Sequence, residues 1–291
     1  MAQTLFFISD FGTGTQGQRD LAELMGRHKD KPNYIITGGD NFYESGVDSV
    51  KDPNWENKYR SVYTQPSLQV NFYACLGNHD YYSGNPDAQV EYSRMKMDHR
   101  WKMPGRYYER MFHILGGGTL QLLVLDTYQL AQRHSRVSSR ESGHPPLMLG
   151  GASVYNEQLD WLKRKLQRPA TWKIVVGHYP IYSIGDHGDT RELGFLADIL
   201  RQNNVTAYFC GHDHSMQHIQ KGGVDYFVGG SSGARGGTLY NRINHNANDV
   251  KYATTDTGFI KIRFSPGFFE VSFHTLQGGD KPVYQWSTSR T

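Results

Sequence analysis

Apolar residues come in short runs along this chain, and most runs have the length of a strand. The stretches TLFFIS (4–9), NYIITG (33–38), VNFYACL (70–76), LQLLVLDT (120–127), WKIVVG (172–177) and VTAYFCG (205–211) are each bounded by polar or glycine-rich residues, the pattern of strands buried on both faces. Between them lie QRDLAELMGRH (18–28), YNEQLDWLKRKLQ (155–167) and RELGFLADILRQN (191–203). These read as amphipathic helices, the second with Leu159, Leu162 and Leu166 at helical spacing. Beyond Ser215 the character changes. MQHIQ, VDYFVGG, TGFIKIRF and FFEVSFHTL read as strands joined by glycine-rich turns, with no helix between them. Strand–helix alternation predicts a mostly parallel α/β sheet, and the later hairpins add antiparallel strands to the same body.

Two segments read as long loops, Gln132 to Gly151 and Ser231 to Asp256. The first carries Arg133, His134, Arg136, Arg140 and His144, which suggests a mobile basic lid or a solvated surface loop. No stretch rich in Pro, Ser or charge marks a boundary, so residues 1–291 are expected to form one domain.

Composition narrows the picture. A chain of 291 residues with 37% hydrophobic and 20% charged residues can bury a substantial core. A formal charge of +3 is too small to argue for nucleic acid, and suits an anionic substrate only weakly. No apolar run approaches the length of a membrane span. No secretory signal is expected at the start of the sequence, because Thr4 to Ile8 already reads as a core strand, though a removed signal leaves no trace. Cys75 and Cys210 sit at the ends of apolar strands and read as buried free thiols. Asn204-Val205-Thr206 is a glycosylation sequon, usable only in a secreted chain.

The chemistry lies where strands end. TLFFIS runs into Asp10, NYIITG into Gly39-Asp40-Asn41-Phe42-Tyr43, VNFYACL into Gly77-Asn78-His79-Asp80, WKIVVG into His178-Tyr179-Pro180, and VTAYFC into Gly211-His212-Asp213-His214. Open α/β sheets place ligands beyond the carboxyl ends of their strands. Singly, each of these residues reads as a helix cap or a turn. Together they bring Asp, Asn and His to one rim, a mixture that caps and turns do not need and metals do. They suffice for two metal ions sharing one carboxylate, an arrangement suited to phosphate-ester hydrolysis.

These blocks resemble the metallophosphoesterase superfamily, whose motifs run Asp, Gly-Asp, Gly-Asn-His-Asp/Glu, Gly-His and Gly-His-x-His. More narrowly, the chain is similar to the small, tartrate-resistant (type 5) purple acid phosphatases. Gly12 stands where many superfamily members have a histidine, and Gly39-Asp40-Asn41-Phe42-Tyr43 matches the tyrosine-bearing block of that branch. So do GNHDYYSGN, GHYPIYSIGDHG and VTAYFCGHDH. The resemblance implies a four-layer α/β/β/α sandwich with two mixed β-sheets. It implies that Asp10, Tyr43 and His214 bind Fe(III), that Asp40 bridges, and that Asn78, His178 and His212 bind a divalent Fe, Zn or Mn. It implies that His79 and His187 contact phosphate, with Asn78, and serve catalysis, with Asp186 beside them. The implied activity is acid phosphatase: metal-activated hydroxide attacks small phosphomonoesters or phosphoproteins. A phosphodiesterase, a phosphoprotein phosphatase and a non-catalytic protein that kept the fold are the alternatives. No nucleic acid is expected as a partner, the chain is expected to be a monomer, and the resemblance implies a secretory or lysosome-like compartment.

Two departures stand out. Asp186 occupies a place where the mammalian type 5 enzymes have Glu, and Glu192 one where they have a cysteine, so their disulfide is not reproduced. A rival reading takes Gly12-Thr13-Gly14-Thr15-Gln16-Gly17 as a dinucleotide fingerprint. It leaves Asn78, His79, His178, His212 and His214 without a role and sets Asp10 against a pyrophosphate. The glycines read better as a turn that swings Asp10 toward the metals. Asp10-Phe11-Gly12 also matches a kinase triplet, but no other kinase motif accompanies it.

Overall fold

The computed structural model describes residues 2–132, 151–233, 236–240 and 248–290. Strands are β1 (Gln3–Ile8), β2 (Tyr34–Thr37), β3 (Asn71–Ala74), β4 (Trp101–Lys102), β5 (Tyr108–His113), β6 (Thr119–Val124), β7 (Trp172–Val176), β8 (Ala207–Cys210), β9 (Met216–Lys221), β10 (Val224–Gly229), β11 (Val250–Thr254), β12 (Gly258–Phe264), β13 (Phe268–Thr275) and β14 (Tyr284–Ser289). Helices are α1 (Gln16–Arg27), α2 (Asn78–Tyr81), α3 (Asp87–Arg94), α4 (Thr127–Gln132), α5 (Gly151–Leu166) and α6 (Gly194–Gln202). Among the described residues the strands form two seven-stranded sheets, ordered β14-β13-β12-β1-β2-β3-β4 and β11-β9-β10-β8-β7-β6-β5. Each is mixed: β1, β2, β3 and β4 run parallel, as do β6, β7, β8 and β10, with antiparallel strands at the flanks.

Side-chain parity explains the layers. Along β7, Ile174 and Val176 join the core between the sheets, while Val175 packs with Leu162, Leu166, Leu196 and Leu200 of α5 and α6. The same alternation divides Phe209 from Tyr208 on β8. Rings close the inter-sheet space: Phe7 meets Phe209 at 5.5 Å, Trp172 meets Phe269 at 5.7 Å, and Phe227 meets Phe273 at 6.2 Å between centroids. On the far side of the first sheet, Leu21, Ala22, Leu24 and Met25 of α1 are buried. The result is a four-layer α/β/β/α sandwich, with the carboxyl ends of the central strands along one rim.

Several expectations shift. The segment read as a loop from Ser231 to Asp256 contains β11, whose residues are half-exposed and so leave no apolar run. Gly17 lies inside α1 and not in the turn after β1. That turn uses Gly12, where a Cβ would stand 1.8 Å from the Asn41 carbonyl oxygen. Cys75 and Cys210 are buried free thiols. Residues 133–150, with the expected lid and its Arg133, His134, Arg136, Arg140 and His144, lie outside the described residues.

Candidate metal centre

The rim gathers the seven expected donors. Asp10 follows β1, Asp40 and Tyr43 follow β2, and Asn78 opens α2 just after β3. His178 follows β7, while His212 and His214 follow β8. Asp10, Asp40, Tyr43, Asn78, His178 and His212 are buried. Among the described residues Asp10, Asp40 and His178 each bring one ligand atom within 4.8 Å of the others.

Two subsets flank Asp40. In the first, the Tyr43 hydroxyl lies 3.0 Å from Asp10 Oδ1 and 3.1 Å from His214 Nε2. In the second, Asn78 Oδ1 lies 2.9 Å from His178 Nε2 and 3.2 Å from His212 Nδ1. Asp40 Oδ1 stands 3.5 Å from His178 Nε2.

Hydrogen bonding behind the donors fixes their direction. His178 Nδ1 is 2.9 Å from the Gly38 carbonyl oxygen, which can only accept, so Nδ1 carries the proton. Burial pushes the His178 pKa down, and that of His212 further down. A neutral His178 then turns the lone pair of Nε2 inward. Asn78 donates from Nδ2 to the Tyr82 hydroxyl at 2.7 Å, so its Oδ1 faces the same point. Ser9 donates to Asp10 Oδ2 at 2.7 Å, and the His212 amide donates to the same oxygen at 3.0 Å. Thr127 Oγ1 accepts from the amides of His178 and Tyr179 at 2.9 and 3.0 Å.

The backbone is strained where the donors sit. Asp10, Asp40 and His212 have φ of 56°, 50° and 70°, a left-handed region that costs a non-glycine residue energy and recurs at functional sites. Two glycines permit close approach. A Cβ on Gly77 would lie 2.1 Å from Asp40 Oδ1, and one on Gly211 would lie 2.2 Å from Asp10 Oδ2.

The electrostatics favour a cation. Burial first, and then the Asp40 charge, pushes the Asp10 pKa well up. Burial, then Asp10 and Asp40, does the same to Tyr43. Two buried carboxylates facing neutral imidazoles, with acceptor meeting acceptor, form a set that bound metal ions would relieve.

The remaining expected residues line the mouth. The His79 amide donates to Asp40 Oδ1 at 2.9 Å, its Nδ1 faces the Glu44 carbonyl oxygen at 2.5 Å, and its Nε2 lies 3.9 Å from Asp40 Oδ2. His187 is exposed, with its ring stacked on His212 at 4.0 Å. Asp186 is also exposed, and its Oδ2 accepts from the Thr238 amide at 2.9 Å.

Sequence reasoning left supporting residues without a role. Asp80 accepts from the amides of Gly77 and Asn41 at 2.8 and 3.1 Å and from Gln89 at 2.7 Å, so it locks α2 against the Asp40 turn. The fourth residue of Gly-Asn-His-Asp was its available signal. Asp126 binds Tyr81 through a short hydrogen bond, and Thr127, Ser9 and Asp213 carried no signal beyond adjacency to a motif.

The calcineurin-like phosphoesterase family model matches residues 4–216. Purple acid phosphatase 17 of Arabidopsis thaliana is 31% identical over 97% of this chain and 83% of its own length. Tartrate-resistant acid phosphatase type 5 of Mus musculus is 32% identical over 89% of this chain and 79% of its own. Among solved structures, GAP50, described as the anchor in the inner membrane complex of Plasmodium, superposes with a TM-score of 0.85 at 23% identity, covering 100% of this chain and 89% of that one. The purple acid phosphatase PPD1 from yellow lupin seeds gives a TM-score of 0.68 at 13% identity, covering 100% and 54%. These two likenesses speak to the fold alone.

Proposed function

We propose that this chain, which belongs to the calcineurin-like phosphoesterase family, is a dinuclear metal-dependent acid phosphatase acting on phosphomonoesters. The observation that carries the reading is the pair of donor sets on either side of Asp40, one built on Tyr43 and one on Asn78.

The two sets differ in charge. Asp10, Tyr43 and His214 offer a carboxylate, a phenol that can ionise and an imidazole, and Asp40 adds its share. Such hard, anionic donors suit Fe(III). Asn78, His178 and His212 are neutral and suit a divalent Fe, Zn or Mn. Bound ions would supply Lewis acidity, drawing charge from phosphoryl oxygens and making water acidic enough to attack near neutral pH.

The chain's own groups do the rest. Asn78 Oδ1, held inward by Tyr82, and His178, held by Gly38, set one wall of the site. His79 donates Nδ1–H to the Glu44 carbonyl and holds Nε2 3.9 Å from Asp40 Oδ2. With the ring in its imidazolium form, Nε2–H binds a phosphoryl oxygen or delivers its proton to the departing alkoxide. His187, exposed and stacked on His212, contacts the phosphate from the other side. Asp186 lies beside it and tunes its surroundings. One domain spanning residues 1–291 carries this site, acting as a monomer on small phosphomonoesters or phosphoproteins in a secretory or lysosome-like compartment.

A non-catalytic role has one observation in its favour, the superposition on a protein described as an anchor. The full set of seven donors weighs against it, because an anchor needs none of them. Hydrolysis of a chromogenic aryl phosphate from acid to neutral pH, with metal content measured in parallel, decides between them. Activity that disappears on chelation and returns with iron and zinc is expected. A chain that binds no metal, or that hydrolyses equally well without it, overturns the proposal.

A further inference from the structure

We propose that Asp213, the residue between His212 and His214, is a positioning residue that holds His187 at the mouth of the metal centre. Its carboxylate is fully buried and points away from the donors, into the turn that carries His187. Oδ1 accepts from the His187 amide at 2.7 Å. Oδ2 accepts from the Gly188 amide at 3.2 Å and from the Ser183 hydroxyl through a short hydrogen bond. The carboxylate therefore gathers three donors from one turn, and a Cβ at Gly185 would lie 2.5 Å from its Cγ, so the chain wraps it closely.

A second layer holds the first. The Gly185 amide donates to Ser183 Oγ at 2.9 Å. Gln217, on β9, donates to Ser183 Oγ at 2.9 Å and to Ser215 Oγ at 2.8 Å, and accepts from the Ile184 amide at 2.9 Å. The turn is thereby tied to the strand that follows the histidine pair. His187 is exposed, and its ring rests on His212 at 4.0 Å. An exposed imidazole on a turn keeps a fixed direction only if its backbone is held, and the Asp213 carboxylate supplies that hold. One short motif thus serves the centre on both sides: His212 and His214 face inward, and Asp213 reaches back to the loop opposite. A buried carboxylate that receives three hydrogen bonds is also a strong anchor, because each of them is charge-assisted.

The kinetic arm of this inference rests on the phosphatase reading above, and its structural arm does not. The test compares Asp213→Asn, Ser183→Ala, His187→Ala and the double variant Asp213→Asn/His187→Ala. Asn keeps the shape but loses one acceptor, so it loosens the turn without emptying the space. Hydrogen exchange of the His187 and Gly188 amides is expected to quicken at least tenfold in Asp213→Asn, with the core strands and the bound metal unchanged. For an alkyl phosphate, kcat/KM is expected to fall about tenfold in Asp213→Asn, and by less than twofold when the same change is made on His187→Ala. Ser183→Ala, further from the donors, should move both readouts in the same direction and less. Unchanged amide exchange in Asp213→Asn overturns the inference. So does an equal loss of activity with and without His187, or a loss of metal, either of which would make Asp213 a support of the donors instead. If the native chain hydrolyses no phosphate, the proposed function falls and amide exchange alone decides whether Asp213 holds the turn.

Discussion

Nε2 of His178 and Oδ1 of Asn78 meet at 2.9 Å as two acceptors. Each is turned to face the other by a partner behind it, the Gly38 carbonyl and the Tyr82 hydroxyl. Such a meeting is unfavourable without a cation to bind both lone pairs, and burial opposes a second proton on the imidazole. His178→Ala is therefore expected to lower bound metal by about one ion per chain. Activity should fall by more than the ~10–100-fold typical of losing a group behind a metal ligand. Elemental analysis beside kcat/KM for an aryl phosphate checks it, and full metal content in the variant would contradict the assignment.

Gly77→Ala and Tyr43→Phe should separate the shared carboxylate from the one-sided donor. A methyl group on Gly77 would crowd Asp40 Oδ1 at 2.1 Å and its amide nitrogen at 2.3 Å. Asp40 faces both subsets, so Gly77→Ala is expected to weaken both ions together. Tyr43→Phe removes a hydroxyl that lies against Asp10 and His214, the other donors of the first subset. It should abolish visible absorption from a phenolate–iron pair and leave the divalent ion in place. Absorption spectra and metal counts on the two purified variants give the comparison.

How far the sequence could be read follows from where each residue sits. Asp10, Asp40, Asn78, His178 and His212 each end an apolar strand, so strand runs and motif letters alone brought them to one rim. The outer strands were harder. Tyr108–His113 carries Glu109 and Arg110 at the sheet edge, and Tyr284–Ser289 alternates half-buried with exposed residues, so neither leaves a continuous apolar run. The left-handed backbone of Asp10, Asp40 and His212 leaves only a weak signature, since Asp and His are enriched in that region but mostly lie elsewhere. Asp213 was legible as a letter, but its role depends on Ser183 and His187, which only the fold brings near it.

The outer face of the first sheet sets a limit on acid stability. His274 of β13 is fully buried, stacked on Phe259 at 5.3 Å and 4.6 Å from the ring of His28. Burial, then the charges of Lys261 and His28, pushes its pKa down to about 3, and burial lowers that of His28 as well. The unfolded chain takes up a proton below pH 6.5 while the folded chain does not. Stability is thus complete above that value and drains away as the pH falls toward about 3. His274→Phe keeps a ring against Phe259 and removes the titration. It should recover about 2 kcal/mol of the stability lost between neutral pH and about pH 5. Thermal unfolding of both proteins at the two pH values reads the difference, and parallel pH profiles would refute the account.

His79 is placed to distinguish good leaving groups from poor ones. Its Nδ1 is engaged by the Glu44 carbonyl and its amide by Asp40, so the ring has one direction and Nε2 stands 3.9 Å from Asp40 Oδ2 on a half-buried side chain. A nitrophenolate departs without a proton, whereas an alkoxide needs one in the transition state. His79→Gln keeps a polar side chain of similar reach but cannot supply that proton. Hydrolysis of a simple alkyl phosphate is therefore expected to slow by about 10²–10³-fold, within the range for loss of a general acid. Nitrophenyl phosphate should slow by less than about tenfold, the part that reflects lost contact with the phosphoryl group. Equal losses on both substrates would make His79 a binding group only, and the proton would then have to come from His187, whose own variant should show the unequal loss instead.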